Sequence, residues 1–277
     1  MDTILQSLGP DRVVLDLGCG GGSFQYASYK CKIIGIDVRL DAKTLFSDGS
    51  RVGFIGANSH ALPLPARSID FAVCNHSLEH VAELDGTLTE LARVLKPDGL
   101  LWISVPNGFG LDDHLYRFLY AGGGHVNRFS YSSLKDAVEK KTGMTLLQSN
   151  RLTSSFIYCK RAPDSAWAYL PRRLKILQTL GLVGPFAAFQ LNAISRLLDR
   201  VLHTHLSQYG WGFLFGRPDT KMNISLPSYF NVCVGCGCGN AAATLKPLAY
   251  RRWAMCFYRC PRCNDVNLLF DPPAGFD

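Results

Sequence analysis

Five residues near the start of the chain, Val13 to Leu17, run directly into Gly18-Cys19-Gly20-Gly21-Gly22. Val13-Val14-Leu15 is apolar and partly β-branched, which reads as a buried parallel strand. The glycines let the backbone turn tightly and let a ligand approach the main chain closely. The segment from Ser23 is expected to open a helix whose N-terminal N–H groups face that ligand. A strand that ends in such a turn constrains the chain to an α/β fold built on a parallel sheet.

The glycine spacing narrows the ligand. A dinucleotide turn needs Gly-x-Gly-x-x-Gly, and the sixth position from Gly18 is Ser23. Asp16, just ahead of the glycines, would repel a pyrophosphate but tolerates a cationic or zwitterionic ligand. Lys32 to Ile36 reads as a second strand closed by Asp37. A carboxylate there is placed to accept bonds from ribose hydroxyls. Dehydrogenases and methyltransferases share this spacing, so Asp37 indicates a nucleoside without naming it.

Further strands follow at Arg51–Ile55, Ile69–Cys74 and Leu100–Val105. Leu84, Leu88, Leu91 and Leu95 recur at helical spacing on one face, and Lys96-Pro97-Asp98-Gly99 ends that helix. Pro106 to Phe129 reads as a long connection leaving the ligand-binding edge of the sheet. Ser133 to Asp136 offers a capping box for a last helix. Met144–Gln148 with Ser154–Cys159 reads as a closing antiparallel pair.

Asp16-x-Gly18-x-Gly20-x-Gly22 resembles the first motif of the class I S-adenosylmethionine-dependent methyltransferases. Asn58-Ser59-His60-Ala61-Leu62-Pro63 with Ile69-Asp70-Phe71 resembles a second family block, whose leading acid, here Asn58, contacts the adenine amino group. Glu79-His80-Val81 is similar to the subgroup that acts on diverse small molecules, and Glu90 to Gly99 looks like the family's segment before the fifth strand. The Asn/Asp-Pro-Pro-Tyr tetrapeptide of amino-methylating nucleic-acid enzymes is absent. The resemblance implies a Rossmann-like, doubly wound, seven-stranded α/β sheet over 1–160. It implies S-adenosylmethionine as cofactor, with Asp16, Gly18 and Gly20 at its amino-acid end, Asp37 at the ribose and Asn58 near the adenine. Cys19, Ser59 and Asn75 complete the expected binding set. A hydroxyl acceptor benefits from a general base. His125, His80 and His76 are the candidates, because imidazole titrates near neutrality.

Residues 161–224 carry no nameable motif. Residues 1–160 hold 16 basic and 16 acidic side chains, residues 161–230 hold 8 and 3, and residues 231–277 hold 5 and 3. The whole +7 surplus therefore lies downstream of the neutral first part, which points to an anionic partner such as a membrane surface, a phosphorylated substrate or RNA. Ile176 to Ser195 lacks charge. It reads as two short helices broken near Gly184-Pro185, either packed over the substrate or lying in a membrane interface through 165–216. Tyr209 to Gly216 is aromatic and glycine-rich, suiting an acceptor pocket or a core plug.

Cys233-x-x-Cys236 and Cys260-x-x-Cys263 form two knuckles in residues 225–277. Four thiolates at this spacing suit a closed structural Zn2+ site, and the module resembles a zinc ribbon, with Cys238 and Cys256 as spare ligands. Met1-Asp2-Thr3-Ile4 lacks the basic region of an export signal, so the ten cysteines are expected to be reduced, in a cytoplasmic or membrane-peripheral protein. The expected activity is methyl transfer to a small-molecule, glycan or lipid-linked acceptor, at oxygen. The alternatives are an RNA methyltransferase that grips RNA with the ribbon and basic segment, or a non-catalytic zinc-dependent binding protein.

Overall fold

The structure is a computed structural model, and it describes residues 1–40, 51–119, 124–153, 156, 185–220, 226–252 and 255–269. In chain order the helices are α1 (Asp2–Ser7), α2 (Leu84–Val94), α3 (Leu111–Leu119), α4 (Tyr131–Thr142), α5 (Pro185–Leu202) and α6 (Ala242–Leu245). The strands are β1 (Val13–Leu17), β2 (Lys32–Asp37), β3 (Val52–Gly56), β4 (Ile69–Asn75), β5 (Leu95–Pro106), β6 (Thr145–Thr153), β7 (Gln208–Gly216), β8 (Tyr229–Val232), β9 (Gly239–Ala241), β10 (Ala249–Arg252), β11 (Met255–Arg259) and β12 (Val266–Leu268). The chain divides into two units. The first is Met1–Val105, Val126–Ser149 and Gly212–Leu226; the second is Pro106–His125, Asn150–Trp211 and Pro227–Asp277.

In the first unit the strand order is β3-β2-β1-β4-β5-β7-β6. β1 pairs in parallel with β2 and with β4, β2 with β3, and β4 with β5. Val14, Ile33, Phe71, Val73 and Trp102 pack with Ile4 and Leu5 of α1 into one apolar cluster. These strands are buried on both faces, which is why they read as near-continuous apolar runs. β8 and β9 add two strands to the ladder, so the count exceeds the expected seven.

Asp70 ties the entry ends of β1 and β5 to β4. Its carboxylate accepts from Val13 N at 2.8 Å, Arg12 Nη1 at 2.6 Å and Lys96 Nζ at 2.8 Å. Burial works to raise its pKa, but the bonds from Lys96, Val13 and Arg12 outweigh burial and hold it below the usual carboxylate value. A carboxyl depressed in the folded state stabilises above its unfolded pKa of about 3.9 and loses that contribution as pH falls through the folded value. Asp70→Asn is therefore expected to lower the melting temperature at neutral pH. It is also expected to flatten the acid limb of the pH–stability profile.

Several local expectations are corrected. No α-helix opens at Ser23. Only residues 18–31 separate β1 from β2, and they hold the glycine turn and a 3-10 turn at Tyr26–Ser28. The 106–129 connection contains α3. The cap of α4 is Ser130 rather than Ser133. Ser130 Oγ accepts from Ser133 N at 3.1 Å and Ser133 Oγ accepts from Ser130 N at 2.9 Å. The proposed closing strand 154–159 falls, except for Phe156, outside the described residues. The aromatic stretch 209–216 forms β7, whose Phe213, Leu214 and Phe215 are buried.

In the second unit, Arg151–Thr153 of β6 pair in parallel with β8, and β9 pairs antiparallel with β8. β10, β11 and β12 form a separate three-stranded antiparallel sheet. Buried Arg196 of α5 donates to Leu268 O and, at 3.4 Å, to Asn231 Oδ1, joining α5 to β12 and β8. Burial pulls its guanidinium pKa down to about 9. Of the uncharged middle segment, only the part from Pro185 lies within the described residues; it forms α5, which exposes Ile194, Leu197, Val201 and Leu202. No described helix is long and apolar enough to cross a membrane.

Candidate functional site

The glycine turn is built against the end of β2. Gly18 N donates to Ile36 O at 2.7 Å and Gly20 N to Asp37 Oδ2 at 2.8 Å. Gly18 sits at φ +73, and a Cβ there would collide with Ser77 Cβ. The residue must therefore be glycine on both conformational and steric grounds. Asp16 is fully buried. It accepts from Ser23 N at 3.1 Å, Ser23 Oγ at 2.8 Å and Tyr26 Oη at 2.5 Å. Burial raises its pKa against the pull of those bonds. The carboxylate thus organises the turn from behind. Cys19 is also buried, and burial, reinforced by Asp16 and Asp37, pushes its thiol up to about 12.

A cavity of about 360 Å³ opens where β1, β2, β3 and β4 end. It brings together Gly18, Asp37, Asn58, Ser59, His76 and His80 among the residues expected from sequence. Asp16, Cys19, Gly20 and Asn75 are not in its lining. Asn75 accepts from Ser104 Oγ, and its amide lies 3.5 Å from Ser23 O, linking β4 to the glycine turn. Ser59 Oγ shares a hydrogen bond of 2.7 Å with Thr87 Oγ1 of α2. α2 clamps the loop further on: Arg93 donates to Leu62 O and Leu64 O at 2.9 Å each, and Leu62 N donates to Glu90 at 2.8 Å. His60 and Ser77 also line the cavity. Sequence reasoning missed both, although each adjoins a residue it selected.

After β4 the chain makes a strained turn. His76 adopts φ +51, and Leu78–His80 form one 3-10 turn. Asn127 pins that turn: its amide donates to Leu78 O at 2.9 Å and Val81 O at 2.6 Å, and its backbone N donates to Glu79 O at 3.0 Å. Residues in sparsely populated backbone regions cluster at functional sites.

His125 belongs to the second unit. Its Nδ1 lies 2.7 Å from Asp113 Oδ1, Arg117 Nε donates to Asp113 Oδ2 at 2.5 Å, and Arg117 Nη1 donates to His125 O at 2.6 Å. Burial would raise the Asp113 pKa, but His125 and Arg117 outweigh it and hold the carboxyl below its ordinary value. The contact with Asp113 orients the His125 ring, as a carboxylate does for an imidazole base. Asp113 carried no sequence signal, because its partner lies twelve residues away across α3.

The thiols of Cys233, Cys236, Cys260 and Cys263 all lie within 4.8 Å of one another. Tetrahedral zinc, with Zn–S of about 2.3 Å, places its sulfurs about 3.8 Å apart. The Cys233–Cys263 separation of 3.5 Å and the Cys236–Cys260 separation of 3.7 Å match that set. The two knuckles share one backbone scheme. Gly237 N donates to Cys233 O and Asn264 N to Cys260 O, while Cys233 N donates to Cys238 O and Cys260 N to Asp265 O. Gly237 and Asn264 each take positive φ. Cys238 Sγ approaches Cys236 and Cys260 to 3.3 Å, whereas Cys256 is not part of the four-thiol group.

A methyltransferase-domain family model matches residues 1–149. A Mycobacterium tuberculosis protein named "Probable S-adenosylmethionine-dependent methyltransferase" is 36% identical over 110 residues, 38% of this chain and 40% of that one. The ubiquinone biosynthesis O-methyltransferase of Azoarcus sp. is 34% identical over 103 residues, covering 34% of this chain and 44% of that one. The chain thus spans less than half the length of these curated relatives. An S-adenosylmethionine-dependent methyltransferase from Archaeoglobus fulgidus shares the fold, with a TM-score of 0.51 at 18% identity, over 77% of this chain and 88% of that one.

Proposed function

The chain belongs to the methyltransferase-domain family, and we propose that it moves a methyl group from S-adenosylmethionine to a hydroxyl of a small-molecule, glycan or lipid-linked acceptor. The cavity that gathers Gly18, Asp37 and Asn58 at the ends of the parallel strands carries this reading. Asp37 would accept from the ribose hydroxyls, Asn58 and Ser59 would contact the adenine, and the turn of Gly18, Cys19 and Gly20 would receive the amino-acid end. Asp16 and Asn75 shape that turn from behind. The cofactor supplies a methyl group already activated on a sulfonium. The protein aligns acceptor and methyl carbon and excludes water.

Among the three histidines, His125 is assigned as general base, because Asp113 orients it. The relative named for O-methylation supports a hydroxyl acceptor. The four knuckle thiols would hold a structural Zn2+ with no open position and no catalytic step. The catalytic part is assigned to 1–160, a helical segment to 161–224 and the ribbon to 225–277, in a cytoplasmic protein. The exposed apolar residues of α5 support a peripheral membrane contact within 165–216. A second reading, RNA methylation, draws support from exposed Arg251, Arg252, Arg259 and Arg262 beside Tyr250 on the ribbon. Salt-sensitive RNA binding would favour it.

Calorimetric titration with S-adenosylmethionine tests the main reading. Saturable binding that weakens at least about tenfold in Asp37→Ala, the loss of roughly 1.4 kcal/mol or more expected for a charge-assisted pair, is the expected outcome. No binding by the zinc-replete chain overturns it.

A further inference from the structure

The ribbon carries a groove that a structural metal site does not account for. It has a volume of about 740 Å³ and is lined by Leu248, Tyr250, Arg259, Arg262 and Asn264 beside the second knuckle. That volume lies in the range of small-molecule sites. All of these residues belong to the second unit.

Strand register puts the groove's side chains together. Tyr250 of β10 is paired with Phe257 of β11, so the two share a face. Arg259, two residues further along β11, lies on that face as well. The rings of Tyr250 and Phe257 are 5.8 Å apart at 20°. Phe257 in turn lies 6.1 Å from Phe189 of α5, with an interplanar angle of 1°. Phe257 is buried and Tyr250 is 40% exposed, so a fixed aromatic column ends in a tyrosine at the surface. Arg259 Nη1 donates to Asn264 O at 3.3 Å, and Asn264 takes the positive φ that closes the knuckle. Arg262 stands exposed in the same knuckle. One aromatic plane and two guanidinium groups thus face a common space.

The chemistry of that space selects a ligand. No acidic side chain is among the described residues that line it. Guanidinium forks match phosphate oxygens in geometry and charge. Inorganic phosphate alone would leave Leu248 and Tyr250 uncovered, and an acidic peptide brings its carboxylates on flexible side chains. A nucleotide joins a flat base, which stacks on an aromatic ring, to phosphates within reach of arginine. We propose that the ribbon groove binds a nucleotide, with the base on Tyr250 and the phosphates on Arg259 and Arg262. A nucleotide that belongs to an RNA strand falls under the second reading above. The site itself depends neither on that reading nor on methyl transfer.

The experiment is titration of the zinc-replete full chain with uridine 5′-diphosphate, a probe that avoids the adenine expected in the cofactor cavity. Pyrophosphate, a short oligouridine and S-adenosylmethionine are titrated in parallel at one salt concentration. Saturable binding of uridine diphosphate is expected, roughly tenfold tighter than pyrophosphate. Tyr250→Leu and, separately, Arg262→Gln are each expected to weaken it at least about tenfold. Both positions are exposed, and zinc retained in each variant shows that the ribbon is folded. Oligouridine at least about tenfold tighter than the diphosphate supports the site and assigns its nucleotide to a strand; equal affinity supports it and assigns a free nucleotide. Absence of saturable binding of either at about 1 mM, pyrophosphate as tight as the diphosphate, or unchanged affinity in Arg262→Gln overturns the site. Binding of S-adenosylmethionine without binding of uridine diphosphate or oligouridine sinks this inference alone. The reverse result upholds the groove and sinks the methyl-transfer reading.

Discussion

Gly18→Ala is expected to destabilise the first unit by about 2–5 kcal/mol and to abolish cofactor binding. Two separate costs produce this. A non-glycine residue in the left-handed region costs about 1–2 kcal/mol, and Gly18 sits at φ +73. The new methyl would also collide with Ser77 Cβ, and overpacking a tight site costs about 1–3 kcal/mol. For a unit of this size the sum corresponds to a melting temperature lower by roughly 5–20 °C. The backbone shift needed to relieve the clash would pull Gly18 N from Ile36 O, which holds the turn at 2.7 Å. The double variant Gly18→Ala/Ser77→Gly separates the two costs. With the Ser77 Cβ gone, the nearest remaining Ser77 atom is Cα at 3.7 Å, an ordinary contact. The double variant should therefore recover the steric part and keep the backbone part. If it is as unstable as Gly18→Ala, the steric account is wrong. If Gly18→Ala melts like the wild type, the account of the turn fails altogether.

Cys260→Ser, or extraction of metal by a chelator, is expected to unfold the ribbon while leaving the first unit folded. The small core around Cys233, Leu245, Tyr258 and Cys260 is formed partly by the thiols themselves. β10, β11 and β12 contribute only four, five and three residues. So short a sheet cannot bury enough apolar surface to offset the chain entropy it loses. Structural zinc in comparable small modules contributes about 10–16 kcal/mol of binding free energy that is also folding free energy. Hydrogen exchange followed segment by segment is the measurement. Amides of β10–β12 should lose protection in the variant, and those of β1, β2 and β4 should not. One zinc per chain by elemental analysis should fall to none. A ribbon that stays protected without metal would show that the thiols are not holding it together. Elemental analysis of Cys238→Ser should still find one zinc per chain, because the paired knuckles place Cys263, not Cys238, as the counterpart of Cys236.

Much of this protein could be read locally. The apolar run of β1, the glycines after it, Asp37 at the end of β2 and the paired Cys-x-x-Cys knuckles are short-range patterns. Each is dictated by backbone conformation or ligand chemistry within a few residues. α2 declared itself through its 3.6-residue period. The tertiary structure alone decided the rest. It made 208–216 an inner strand although that stretch follows a long intervening segment, because burial of Phe213, Leu214 and Phe215 depends on neighbours far away in sequence. The expected helix after the glycines gave way to a short turn, because Ser23 and Tyr26 are drawn onto buried Asp16. Asp113 was set against His125, and Glu79 was buried with one carboxylate oxygen lacking a hydrogen-bond partner among the described residues. Such properties belong to groups brought together by folding. A residue's type and its near neighbours determine which conformations and ligands it favours, but its burial, and hence the cost of its charge, is set by chain that arrives from elsewhere.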